Sequence, residues 1–106
     1  MTESDIQRDI LTYLKRRRIF HWRNNVGGSY RNGRYVAYGV AGAGDIIGVL
    51  PGGKFLSIEV KAPGKDTTAK KRKEAQAAFR DAINTAGGVA IVARSLDDVR
   101  RVIESV

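Results

Sequence analysis

The amino-acid sequence predicts one α+β domain in which a mixed β-sheet is flanked by helices, in the order α-β-β-β-β-α-β-α. Three observations favour this class. The chain has 106 residues, which is a common length for a single domain. Its hydrophobic fraction of 42% is ordinary for a chain with a packed core. Segments with apolar residues at helical spacing are interleaved with short segments typical of strands.

The two ends of the chain predict helices. Apolar residues recur at helical spacing over 3–18, and a capping box is supplied either by Thr2 with Asp5 or by Ser4 with Gln7. At the other end, Ser95 and Asp98 cap a last helix. A further helix is predicted over 68–85, followed by Gly87-Gly88 and a wholly apolar strand over 89–93.

The middle of the chain predicts strands separated by turns. The segment 27–44 is glycine-rich, and only 34–40 within it is predicted to be extended. Pro51-Gly52-Gly53 is a turn between two apolar segments. The predicted strands of this part of the chain are 19–23, 34–40, 45–50 and 54–61.

Composition excludes several kinds of site. The chain has no cysteine, so disulfides, zinc–thiolate sites and thiol catalysis are excluded. Its only histidine, His21, rules out a multi-histidine metal site, and we expect it to be a packed or partly exposed strand residue and not a general base. A metal held by side chains would need carboxylates, which suit Mg²⁺ or Mn²⁺.

The formal net charge of +8 favours a polyanionic partner, with nucleic acid first.

Three polar residues interrupt the predicted central strands. If 51–53 is a three-residue hairpin loop, the register that pairs Leu50 with Lys54 also pairs Asp45 with Glu59. Their β-carbons would then be about 4.5–5.5 Å apart on one face, which Lys61 shares. A divalent cation would relieve the repulsion between the two carboxylates. The alternative is a surface ion pair of Glu59 with Lys61 at the sheet edge.

Near the amino terminus, Glu3 and Gln7 continue the apolar stripe of the first helix beyond the core. Glu3 is equally well explained as a site residue and as an acid that favours the helix dipole. Phe20 and Trp22 are able to stack on bases, but we expect at least one of them to point into the core.

The chain resembles a stand-alone VRR-NUC domain, the virus-type replication-repair branch of the PD-(D/E)XK nuclease superfamily, over nearly its whole length. Gly44 stands where the superfamily's name has proline, and the Lys70–Lys73 run before Gln76 is a second departure. The segments that carry the resemblance are Glu3-Ser4-Asp5-Ile6-Gln7, Trp22-Arg23-Asn24-Asn25, Gly44-Asp45-Ile46-Ile47-Gly48, Ile58-Glu59-Val60-Lys61, Gln76, Gly87-Gly88 and Ala93-Arg94-Ser95-Leu96-Asp97-Asp98.

The resemblance implies a restriction-endonuclease-like fold and Mg²⁺- or Mn²⁺-dependent hydrolysis of DNA phosphodiester bonds. Asp45, Glu59 and the Val60 carbonyl would hold the metal, and Glu3 would complete the site directly or through water. Lys61 would position or activate the attacking water, and Gln76 would order the site. The resemblance also implies a homodimer acting on branched DNA such as Holliday junctions, in replication or repair.

Basic residues outside the acidic site are expected to contact DNA phosphates. Arg23 and Asn25 are equally well explained as strand-end residues without a function, and the basic run at 70–73 has a solvated helix face as its alternative. We expect no membrane partner, no small-molecule cofactor and a cytoplasmic location, in a bacterium or a phage-infected host, because no apolar run approaches 18 residues and no signal peptide is evident. The expected nucleic-acid contacts are Arg23, Asn25, Arg31, Arg34, Lys65, Lys70, Lys71, Arg72 and Lys73.

Two other functions compete with a nuclease. A non-catalytic basic DNA-binding module would carry the same acids as a vestigial site, but a decayed site is expected to have lost one member. A structural RNA-binding protein of the ribosomal kind would not require acids that face each other from adjacent strands.

Overall fold

The computed structural model describes residues 1–24 and 27–106, and Asn25, one of the expected DNA contacts, lies outside them. None of the helices in these residues is long and apolar enough to cross a membrane. The elements in chain order are α1 (Glu3–Arg16), β1 (Phe20–Arg23), β2 (Gly27–Arg31), β3 (Arg34–Tyr38), β4 (Ile46–Val49), β5 (Phe55–Val60), α2 (Lys70–Thr85), β6 (Val89–Ala93) and α3 (Leu96–Glu104).

Four strands form the central sheet, in the spatial order β1-β4-β5-β6. Strand β4 is antiparallel to both β1 and β5, whereas β6 is parallel to β5. The predicted α+β class, with a mixed sheet flanked by helices, is therefore confirmed. The parallel pair is joined through α2, as parallel strands require a crossover connection.

The predicted order is wrong in one respect, because β2 is an additional strand. It pairs with β3 in a two-stranded hairpin separate from the central sheet. Its glycines and single aromatic residue give no period-two apolar pattern. The overlooked signal is Asn32-Gly33 between the two strands, where φ angles of 51° and 76° form the tight turn. Asn-Gly is the residue pair that such hairpin turns favour.

The predicted register of β4 and β5 is confirmed. Ile46 pairs with Ile58, Val49 pairs with Phe55, and the Leu50 amide donates to the Lys54 carbonyl at 2.8 Å. One face of the pair is consequently apolar and fully buried. It packs against α1 and α3 in a core formed by Ile6, Ile10, Leu14, Ile19, Ile46, Leu50, Leu56, Ile58, Val60, Ala93, Val99 and Ile103.

The helix boundaries follow local hydrogen bonding. Thr2 caps α1 in a reciprocal capping box with Asp5, one of the two predicted alternatives. The helix ends at Arg16, because Arg18 adopts a φ of 56° that turns the chain into β1. Helix α2 lies against β5 and β6 and contributes nothing to the α1–α3 core, which places it on the opposite face of the sheet.

Candidate active site

The ladder between β4 and β5 stops where the polar residues begin. Beyond Ile46 and Ile58, the register would pair Asp45 with Glu59 and then Gly44 with Val60. Instead, the Gly44 amide donates to Ser57 Oγ at 3.1 Å, and the Val60 amide donates to Asp45 Oδ2 at 2.7 Å. Asn24 Nδ2 donates to the Gly44 carbonyl at 3.3 Å. The Asp45 carboxylate thus replaces a backbone partner and lies beside the end of β5.

The glycine at position 44 is required by its surroundings. A β-carbon there would lie 2.5 Å from Ser57 Oγ and 2.7 Å from the Ile58 carbonyl oxygen, distances that real side chains do not show. A proline would also lack the amide hydrogen that Ser57 accepts. Glycine, and not proline or a residue with a side chain, is therefore required by the way this strand end is built.

The Asp45 and Glu59 carboxyls meet on the sheet face opposite the core. Glu59 is only 7% exposed. Burial, followed by the hydrogen bond and negative charge of Asp45, raises the pKa of Glu59 from its ordinary 4.5 to about 8, against smaller opposing effects of Lys61 and Arg72. The pair therefore keeps one proton near neutral pH unless a cation takes its place.

Lys61 directly follows β5, where its charge opposes the rise in the Glu59 pKa, and it is held by its own hydrogen bond. Its Nζ donates to Thr68 Oγ1 at 2.6 Å, and the Thr68 amide donates to Asp66 Oδ1 at 2.8 Å. Hydrogen bonds from the Thr68 side chain and amide lower the pKa of Asp66 to about 2, with a smaller contribution from Lys73, whose Nζ is 3.7 Å from Asp66 Oδ2. The segment after β5 is thereby tied to the first turn of α2.

Gln76 is buried in α2, with 6% of its surface exposed. The loop that leads to Asp45 crosses α2 at this point. Gly42 has a φ of +82°, and a β-carbon there would overlap the Ala75 carbonyl and lie 2.8 Å from the Gln76 amide nitrogen. Gln76 therefore lies where α2 supports the approach to Asp45.

Glu3 is exposed in the first turn of α1. Across residues 1–24 and 27–106, no three histidine or acidic side chains are grouped so that they could hold an ion, so Glu3 does not join Asp45 and Glu59. The donors that converge are the carboxylates of Asp45 and Glu59, beside the Val60 amide that donates to Asp45. Oxygen donors of this kind fit Mg²⁺ or Mn²⁺, with the remaining positions left to water.

The basic residues expected to bind DNA fall into separate groups. Arg23 is exposed at the end of β1, and alternation directs it toward the other face of the sheet from Asp45. Arg31 and Arg34 flank the turn of the β2–β3 hairpin. The group next to the acids is exposed and consists of Lys65 and, in the first turn of α2, Lys70, Lys71, Arg72 and Lys73.

The expectation that Phe20 or Trp22 points into the core is wrong. Residues two apart in a strand share a face, so alternation directs both rings to the same side. That side is the Asp45 face, where Phe20 is 70% and Trp22 is 44% exposed. Their rings contact edge to face with centroids 5.8 Å apart.

Several residues that build the site were not identified from the sequence. Ser57 and Asn24 hold Gly44, and Thr68 holds Lys61. Ser57 carried a usable signal, because it is the lone small polar residue in an otherwise apolar segment of β5. Asn24 and Thr68 contact Gly44 and Lys61 only once the chain is folded, and nothing in their local sequence indicates these contacts.

No protein-family model, curated protein or solved structure matches this chain. Support for the chemistry of the site therefore comes from its own residues. Two adjacent carboxylates are suited to a hard cation. The lysine beside them and the basic first turn of α2 are suited to a phosphate ester.

Proposed function

We propose that this protein is a metal-dependent DNA endonuclease of restriction-endonuclease-like fold, related to VRR-NUC domains. The observation that carries the proposal is the pairing of Asp45 with Glu59 at a broken strand end, inside a chain of net charge +8. A protein that only bound a polyanion would gain nothing from two carboxylates that repel each other there.

Asp45, Glu59 and the Val60 carbonyl would hold Mg²⁺ or Mn²⁺, and Glu3 would act only through water. When bound, the cation supplies Lewis-acid polarisation of the phosphodiester and favours ionisation of a nearby water. The two carboxylates supply the negative charge that recruits the cation. Glu59 would have to give up its proton to hold a cation, because its pKa is raised to about 8.

Lys61 would orient the attacking water and stabilise charge on the phosphate. Its hydrogen bond to Thr68 holds the ammonium group in place beside the acids, so little reorganisation is needed when a substrate binds. Gln76 would order the loop before Asp45 from its buried position in α2.

DNA would approach over the basic start of α2. This turn contains Lys70, Lys71, Arg72 and Lys73 and has no side-chain cap on its amides. Phosphates are favoured at such a helix start because the helix dipole and the side chains act with the same sign. We further propose that a homodimer presents two such sites to branched DNA, since symmetric cleavage of a junction needs two active centres.

The test compares wild type, Asp45→Asn, Lys61→Ala and the control Asp81→Asn on linear and four-way-junction DNA. Asp81 is exposed on α2, so its variant makes the same chemical change away from the acid pair. We expect cutting by wild type and the control with Mg²⁺ or Mn²⁺, none with EDTA, and a loss of at least 100-fold in the other two variants. Cutting that survives Asp45→Asn would overturn the assigned site.

DNA binding measured in EDTA separates the nuclease from a non-catalytic binding module. All four proteins should bind junction DNA, because no variant removes a phosphate-contacting residue of α2. Tight binding without cutting of any DNA would favour the binding module. Sedimentation at micromolar concentration should give twice the monomer mass, and a clean monomer would remove the dimer from the proposal.

A further inference from the structure

The β2–β3 hairpin has no tertiary partner among the helices and strands that the structure describes. An isolated two-stranded hairpin is marginally stable in water. It is nevertheless 12 residues long, from Gly27 to Tyr38. A segment that extends from the body and packs on none of the described elements is more easily explained by an external partner than by the fold.

An aromatic pair stabilises one face of this hairpin. Tyr30 and Tyr35 are cross-strand partners with ring centroids 5.4 Å apart, and they are 78% and 59% exposed. The Tyr35 ring also covers Gly28, where a β-carbon would lie 2.6 Å from it. Such aromatic contacts contribute to hairpin stability and fill the space above a glycine.

The opposite face carries an unfavourable charge pair. Arg31 and Arg34 are directly opposite each other next to the turn. Like charges in this arrangement destabilise a hairpin. The segment 27–38 contains no aspartate or glutamate that would relieve the repulsion. Two arginines placed together in a segment without acidic residues are complementary to a polyanion.

Chain segments on both sides of the hairpin reach the candidate active site. The hairpin lies in the chain between Asn24 and Asp45, and the Asn24 amide donates to the Asp45 carbonyl at 2.7 Å. The chain therefore leaves for the hairpin and returns from it at the sheet end that carries the two carboxylates. A nucleic acid whose backbone reaches those carboxylates would lie next to the hairpin.

We propose that the tip of the β2–β3 hairpin enters the major groove of duplex DNA beside the cleavage site, with Arg31 and Arg34 contacting phosphates and guanine edges. The major groove is about 12 Å wide and admits a two-stranded ribbon. The proposal rests on the proposed function for its choice of partner. It adds that duplex on at least one side of the cleaved bond is part of the substrate.

The test measures binding of a fluorescent 30-base-pair duplex in EDTA, so that it does not depend on cutting. The variant is Arg31→Ala with Arg34→Ala. The matched control is Arg100→Ala with Arg101→Ala. It removes the same charge from α3, which packs on the face of the central sheet opposite the two carboxylates. Circular dichroism should show both variants folded, because the hairpin arginines contact no other element of the described chain.

At 0.1 M salt the hairpin variant should bind roughly 10- to 100-fold more weakly than wild type, and the control within about twofold. The slope of log K against log salt should fall by about 2 for the hairpin variant. Wild type should protect guanine N7 from dimethyl sulfate, and the hairpin variant should not. Equal affinity and equal protection for the hairpin variant and the control would overturn the proposal.

The outcomes separate this proposal from the nuclease. If wild type binds through the hairpin but cuts no DNA with Mg²⁺ or Mn²⁺, the hairpin assignment stands and the nuclease falls. If the hairpin variant binds and cuts like wild type, the nuclease stands and the hairpin assignment falls. A hairpin variant that changes only the sedimentation mass would show that a second copy of the chain, not DNA, occupies the hairpin.

Discussion

The stability of the metal-free protein should fall as pH rises, because of Glu59. In the folded protein, burial and Asp45 hold the pKa of Glu59 at about 8, whereas its ordinary value is 4.5. Between these two values the folded state binds a proton that the unfolded chain does not. The contribution of Glu59 to stability is therefore fully present below pH 4.5 and is lost as pH rises through about 8.

The size of the effect follows from the same two values. A difference from 4.5 to about 8 corresponds to on the order of 5 kcal/mol over the whole window. About 3 kcal/mol of it falls between roughly pH 5 and pH 8. For a domain of about 100 residues, each kcal/mol shifts Tm by about 4 °C, so Tm should fall by roughly 10–15 °C.

The assay compares Tm from pH 5 to pH 8 in EDTA for wild type, Glu59→Gln and Glu74→Gln. Glutamine at position 59 stays neutral, so the fall in Tm should disappear in that variant. Glu74 is exposed on α2, and its variant should keep the wild-type fall. If Tm falls equally from pH 5 to pH 8 in wild type and in Glu59→Gln, Glu59 does not cause the fall and the reasoning is refuted.

Three further predictions concern single side chains. Gly44→Ala should cost roughly 1–3 kcal/mol in urea unfolding, because its β-carbon meets Ser57 Oγ and backbone; a change below about 0.5 kcal/mol would contradict the close approach. Trp22 is the only tryptophan, so single-stranded DNA should quench its fluorescence, and Trp22→Ala should weaken binding at least fivefold; unchanged emission at saturation would exclude stacking. Asn84 bonds both the amide and the carbonyl of Ala90, at 2.9 and 3.1 Å, on the outer edge of β6. Asn84→Ala should therefore cost about 1–2 kcal/mol and promote association detectable by light scattering, and a monodisperse variant of unchanged stability would count against edge protection.

The sequence was most informative where one pattern constrained both backbone and side chains. The turn at 51–53 set the register of β4 and β5, and the register placed Asp45 opposite Glu59. Strand β6 was predicted with its observed bounds, because five apolar residues lie between Gly88 and Arg94. In both cases, local turn chemistry and hydrophobic burial favour the same structure.

The sequence was least informative where tertiary contacts decide. Whether Glu3 reaches the acid pair depends on how α1 packs, which no spacing within α1 encodes. Strand β2 is held by its partner and by an aromatic ring over a glycine, so its own residues show no strand pattern. Phe20 and Trp22 face outward because the sheet is covered only in part on that side, which depends on the position of α2.

Asp45 combines a structural and a chemical contribution, and the choice of substitution decides whether they can be separated. Its Oδ2 accepts from the Val60 amide, so alanine would leave that backbone group without its partner, at a cost of about 1–3 kcal/mol, and a loss of cutting would be ambiguous. Asparagine keeps an oxygen acceptor and removes the charge. Because that charge raises the pKa of Glu59, Asp45→Asn should be more stable than wild type at pH 8 in EDTA. A variant that gains stability while it loses cutting would show that the acid pair lowers the stability of the fold and is needed for the reaction. A less stable Asp45→Asn would mean that the charged bond to Val60 outweighs the repulsion, and the pair would then be explained by structure alone.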